Sequence, residues 1–179
     1  EIVYAEGFGY TDQANNIKAT PASIYKIASI TKTFTAIAVM QLQEKGLLNV
    51  NESIKKYIPE LTMTSRFEDE NEIYIKDILT HTSGLPSDVP NGMLAAEIPD
   101  LDWMIQELNK QQMASPKNYY LSYSNVGYGL LGLLIERVSG LSYADYMQQN
   151  VFSPLEMYNS FGTNDNPENL SKGYANKEE

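Results

Sequence analysis

Ile27-Ala28-Ser29-Ile30-Thr31-Lys32-Thr33-Phe34-Thr35-Ala36 opens an apolar helix and sets a serine and a lysine three residues apart, hence on one helical face. Ile37, Ala38, Val39, Met40 and Leu42 carry the helical pattern onward, and Lys45-Gly46 ends it with a cation in the last turn and a glycine just beyond. An amine sharing a face with a hydroxyl can take its proton, and a helix N-terminus favours the negative charge that then develops on oxygen. Few charges follow Ser29, so Lys32 is carried into apolar surroundings, where an amine is a readier proton acceptor. A capping serine with a snorkelling lysine accounts for the same residues equally well.

Ser-x-x-Lys is a cheap pattern, and the chain has it also at Ser23/Lys26 and Ser53/Lys56. Ser53 reads as a helix cap with a solvated lysine. Ser23 precedes the helix, so Lys26 need not share its face. Tyr123-Ser124-Asn125 enters a second apolar helix, Asn125 to Ser139, closed by Gly140. That helix is apolar nearly all round, so it is expected to be buried and the polar groups at its mouth to need partners. A tyrosine and an amide arriving beside Ser29 and Lys32 would supply a proton relay and a hydrogen-bonding arm. Tyr174-Ala175-Asn176 repeats the pattern in a polar stretch and reads as a surface turn.

Working outward, residues 1–20 read as strand, turn, strand: Ile2, Tyr4, Phe8 and Tyr10, then Asp12 to Asn16 as a turn before Ile17. Short helices are expected at Ser53–Ile58 and Ile75–Leu79, and the acidic stretch Glu68 to Glu72 reads as a solvated loop. Residues 84–99, rich in proline and glycine, read as a long surface loop. Asp100 would cap a helix running to about Met113, and Ser142 with Asp145 forms a capping-box-like start for a last helix to Asn150. The result is an α+β chain, a small β piece followed by a helix-rich body.

With 179 residues and 42% hydrophobic content, the chain can bury a sizeable core as one domain or a large piece of one. Its net charge of −10 argues against a nucleic-acid partner. One histidine, His81, and no cysteine leave little for a zinc site or a Ser-His-Asp centre, so His81 is expected to be structural and no metal or other cofactor is implied. Gly7-Phe8-Gly9 lacks the rest of a dinucleotide loop. Apolar runs fall far short of a membrane span.

The segment around Ser29, the turn His81-Thr82-Ser83-Gly84-Leu85-Pro86, and Tyr123-Ser124-Asn125-Val126-Gly127-Tyr128 through to Gly140 together resemble the serine penicillin-binding proteins and class C β-lactamases, with their related D-peptidases and esterases. The resemblance runs from about residue 3 to residue 175. It implies a β-lactamase/DD-peptidase-like fold, in which residues 1–28 give N-terminal strands of the sheet region and residues 29–179 the helical region. It further implies that Ser29 is the nucleophile of an acyl-enzyme, Lys32 its activator, Tyr123 the proton relay, and Asn125 a substrate-positioning amide that contacts Lys32. The Ser29 N–H would give half of an oxyanion hole. The expected substrate is a small molecule or peptide with an amide or ester bond, with no cofactor; an extracytoplasmic location is favoured by the resemblance alone.

Two departures stand out. Pro116-Lys117 occupies a turn where the family commonly has Pro-Gly. The family's third motif, Lys-Thr-Gly or His-x-Gly on a later strand, has no match. The chain therefore reads as the N-terminal part of a longer enzyme, partnered by a C-terminal segment of the same protein, with the C-terminal strands absent. A non-catalytic binding or sensor module, or an inactive fragment, is the alternative.

Overall fold

Alternation of apolar and small residues along Thr31–Glu44 makes a helix with one face for a core, and the second apolar stretch supplies its counterpart. In the computed structural model, which describes residues 2–67, 72–90, 101–162, 167 and 169–174, these become α1 (Thr31–Glu44) and α4 (Asn125–Ser139). They pack against each other at the centre of the molecule. Ala38, Val39 and Leu42 of α1 and Leu130, Leu131, Leu134 and Ile135 of α4 are almost completely shielded from solvent. The Ser124 side chain caps α4 by accepting from Gly127 N–H at 3.0 Å. Gly140 ends the helix at φ 72°, a left-handed conformation that costs a glycine nothing.

α2 (Ile75–Leu79), α3 (Leu101–Asn109) and α5 (Tyr143–Met147) surround that pair. α2 has the expected bounds. α3 stops four residues short of the expected end, because the Asn109 side chain turns aside to accept from Thr62 N–H and Met63 N–H and to donate to the Glu60 carbonyl. α5 is shorter than expected and continues as a wider π-type turn, Gln148–Phe152. The helix expected at Ser53–Ile58 is a single 3-10 turn, Ile54–Lys56. The loop after Gly84 is not wholly a surface loop, since Leu85 and Val89 are buried in the core. The acidic residues 68–71, loop residues 91–99 and the Asp100 cap lie outside the described residues.

The β piece is smaller than the alternation suggested. β1 (Tyr10–Asp12) and β2 (Ile17–Lys18) pair antiparallel, with an irregular register that sets Tyr10 opposite Lys18 and Asp12 opposite Ile17. No strand forms over residues 2–8, because among the described residues no further strand pairs with them. Residues 169–174 return to this piece: Ser171 N–H donates to the Ile24 carbonyl and Lys172 N–H to that of Thr11. Buried Asp12 pairs with Lys172 and accepts from the Tyr174 hydroxyl. Lys172, then Asn15, hold the Asp12 carboxyl well below the usual carboxylate range.

Candidate active site

The turn that carries Ser29 is a 3-10 helix, Ala28–Ile30, leading directly into α1. The N-cap positions of this turn and of α1 are Ile27 and Ile30, so Ser29 stands inside the turn and not at a cap. Ala28 enters at φ 47°, a left-handed conformation costly for a residue with a Cβ and held by its surroundings. Nothing in an alanine advertises such strain.

From this turn Ser29 is exposed at the protein surface, and Lys32, one turn along, is half-buried behind it. Lys32 Nζ lies 3.4 Å from Ser29 Oγ and donates to Asn125 Oδ1 at 2.9 Å. The Tyr123 hydroxyl donates to Ser29 Oγ at 2.8 Å. The same ammonium stands 4.8 Å from the centre of the Tyr123 ring and 5.6 Å from that of Tyr128. Hydrogen bonding to Lys32, then to Ser29, pulls the Tyr123 phenol below its ordinary value of 10.0. The four residues expected from the sequence are thus brought together, from elements far apart in the chain.

A clamp holds the second half of this constellation. The turn of residues 81–87 runs alongside the Tyr123-Ser124-Asn125 approach to α4 and accepts from it repeatedly. Ser122 N–H donates to the His81 carbonyl at 2.7 Å, Ser124 N–H to His81 Nδ1 at 3.2 Å, and Asn125 N–H to the Ser87 carbonyl at 2.8 Å. Buried Ser124 donates its hydroxyl to the Pro86 carbonyl at 2.6 Å. The His81 ring lies 4.5 Å from that of Tyr123 and 5.0 Å from that of Tyr128. Burial, then the Lys32 charge, hold His81 below its ordinary 6.5, so the neutral ring with Nδ1 as acceptor is favoured. His81, expected to be structural, accepts from the approach to α4 and packs against Tyr123, so it supports the candidate site directly. Gly84 at φ 76° lets the turn close on residues 113–115, where its carbonyl accepts from Ala114 N–H at 2.8 Å.

The other motif matches have ordinary structural roles. Ser23 Oγ accepts from Thr20 N–H at 2.8 Å. Lys56 pairs with Glu52 at the surface, while Ser53 stands at the cap position without a capping bond. The Tyr174 hydroxyl binds Gln13 N–H, Ala14 N–H and Asp12.

This arrangement within an α+β frame is of the β-lactamase/DD-peptidase type. The sequence profile of the β-lactamase family matches residues 1–176, and the chain belongs to that family. Protein flp of Staphylococcus aureus (strain MRSA252) is 34% identical over 168 residues, covering 93% of this chain and 34% of that protein. The crystal structure of a penicillin-binding protein from Bacillus halodurans superposes with a TM-score of 0.77 at 28% identity, covering 96% of this chain and 54% of the other. A β-lactamase/D-alanine carboxypeptidase from Yersinia pestis gives 0.70 at 30% identity, covering 86% of this chain and 46% of the other. The chain thus spans about a third of the length of the curated relatives it matches.

Proposed function

We propose that the chain carries the acylation centre of a serine hydrolase acting on amide or ester bonds, of the kind found in D-amino-acid peptides, β-lactams or simple esters. The observation that carries this reading is Ser29 Oγ held between the Tyr123 hydroxyl at 2.8 Å and Lys32 Nζ at 3.4 Å. Ser29 Oγ attacks the substrate carbonyl, the Oγ–carbon bond forms, and the serine proton passes to Tyr123 as phenolate. The lowered Tyr123 phenol and the ammonium beside it favour this division of roles, with Lys32 stabilising phenolate and oxyanion charge in place. Tyr123 then hands the proton to the leaving amine or alkoxide as its bond to the carbonyl breaks. Water hydrolyses the acyl-enzyme by the reverse relay. Asn125 fixes Lys32 and presents its amide N–H groups to the substrate, and the Ser29 N–H is one oxyanion donor.

In this reading residues 1–28 are the start of the sheet part and residues 29–179 the helical part of one catalytic domain. A later segment of the same protein would add the second oxyanion donor.

The rate of ester hydrolysis against pH, for wild type, Ser29→Ala and Tyr123→Phe, tests the mechanism. Ser29→Ala should abolish turnover. Tyr123→Phe should slow it by about 10²- to 10⁴-fold, the usual share of general acid–base catalysis. In the wild type, kcat/KM should rise with pH as Tyr123 deprotonates, with a midpoint below 10, and Tyr123→Phe should lose that limb. Unchanged turnover in Ser29→Ala contradicts the nucleophile. A limb that survives in Tyr123→Phe moves the base role to Lys32.

A further inference from the structure

Behind Ser29 the space continues into a cleft of about 460 Å³ between α1 and α4. Ser29 on the 3-10 turn and Lys32 and Thr35 on α1 line it from one side, and Asn125, Gly129 and Gly132 on successive turns of α4 from the other. Ala28, Thr31, Leu101, Tyr128 and Tyr143 complete the walls. From Ser29 to Thr35 the lining extends over six residues along the 3-10 turn and α1, a length of about 9 Å at 1.5 Å per residue. The Tyr143 hydroxyl is engaged with Thr35 Oγ1 at 2.8 Å, so the polar tip is satisfied and the ring presents apolar surface. Among the described residues of the lining, Lys32, at the end nearest Ser29, is the one that carries a charge.

Two of the α4 positions in the lining are glycines. At Gly129 packing explains the absence of a side chain, since a Cβ there would stand 2.7 Å from Met104 Sδ. Gly132 has no such reason. A Cβ there would meet only Tyr143 Cδ2, at an ordinary 3.7 Å. Glycine inside a helix costs about 1 kcal/mol against alanine, so Gly132 gives up helix stability with no steric demand for it. What a longer side chain at this position would do is fill the cleft.

The cleft's mouth holds the proposed nucleophile, so its occupant is joined to the carbonyl that Ser29 attacks. Tyr123, the proposed proton donor to the leaving group, is not part of the lining. The leaving group therefore departs on Tyr123's side, and the cleft lies on the acyl side of the scissile bond.

We infer that this cleft is an acyl subsite, taking an uncharged apolar acyl group of medium size, such as hexanoyl or phenylacetyl, with Gly132 setting its depth and Tyr143 and Leu101 its walls. The inference rests on Ser29 being the nucleophile. Acylation by 4-nitrophenyl acetate and 4-nitrophenyl hexanoate separates the two claims: Ser29 Oγ bonds to the acyl carbon, 4-nitrophenolate leaves, and both the released phenolate and the added mass are measured. The quantity read is the hexanoate-to-acetate ratio of kcat/KM in wild type, Gly132→Ala and Gly132→Leu. The ratio should favour hexanoate by about tenfold or more in wild type and fall by at least about tenfold in Gly132→Leu, since filling or emptying a few methylene positions of an apolar pocket has effects of that order. Gly132→Ala, whose Cβ fits without displacement, should fall between them, and it decides the matter if Gly132→Leu does not fold. A wild-type ratio near one overturns the subsite. So does a ratio that the substitutions leave in place, as it would be if another part of the protein filled the cleft. If neither ester releases phenolate or adds mass to Ser29 in folded wild-type protein, the nucleophile assignment fails, and the subsite with it.

Discussion

The α1–α4 body and the N-terminal segment both carry large apolar residues, and those residues end in opposite environments. In the body, Leu130, Leu134 and Ile135 are fully shielded, whereas Ile2, Val3 and Phe8 are 78–92% exposed. Tyr10 and Ile17, in the two short strands, are also exposed. The helical body can satisfy its own backbone hydrogen bonds and needs only an opposing apolar stripe. A strand needs a neighbour, and two short strands with a broken register give very little of one. Ser29, the proposed nucleophile, sits where the two regions meet, on the 3-10 turn between exposed Tyr25 and Ile27 and the buried face of α1.

The contrast is easiest to break with paired truncations. Leu130→Ala should cost about 2–5 kcal/mol in denaturant unfolding, the usual range for emptying a leucine site in a close-packed core. Phe8→Ala should change stability by no more than about 0.5 kcal/mol, as for a surface site that buries nothing. Comparable losses at both positions would mean that the N-terminal segment is packed after all.

A smaller effect tests the clamp that joins the body to the site. Ser124→Ala removes the α4 cap and leaves the Pro86 carbonyl without its donor, which should cost about 2 kcal/mol. It should also lower turnover, because Tyr123 and Asn125 flank it. A loss of stability at unchanged turnover would separate the clamp from the site.

The smallest effect is a pH dependence. His81 titrates below its ordinary 6.5 in the folded chain, for reasons of burial and then Lys32. Above that ordinary value both folded and unfolded chains are neutral here, and the contribution is intact. As pH falls below it, the unfolded chain takes up a proton that the folded one resists, so stability declines until the folded ring protonates as well. Unfolding midpoints measured between pH 8 and pH 5 should fall toward acid, and His81→Asn should reduce that slope. Asp12, held low by Lys172, adds its own loss only nearer the carboxylate range, so the two are separable by pH.

How much of this could be read from the sequence follows the same division. α2 and α4 have the expected bounds and α1 nearly so, because periodicity, Ser124 and the glycines at 46 and 140 are local signals. The end of α3 was hidden because it depends on Asn109 reaching residues 60, 62 and 63, a contact no local pattern encodes. Residues 2–8 alternate like a strand, yet alternation reports what a segment is fit for and not whether a partner is present. The four residues of the candidate site were legible as types and spacing. Choosing Ser29/Lys32 from the three Ser-x-x-Lys pairs needed context, and the left-handed Ala28 and the His81 clamp had no signature strong enough to place them.

The central claim is that Ser29, Lys32, Tyr123 and Asn125 form one acylating centre across α1 and α4. Intact-protein and peptide mass spectrometry after exposure to a fluorescent penicillin and to an activated ester tests it most directly. The account predicts one adduct per chain, located on the peptide containing Ser29 and absent from Ser29→Ala. Folded protein that gains no mass with either reagent, or an adduct that persists in Ser29→Ala, would contradict it.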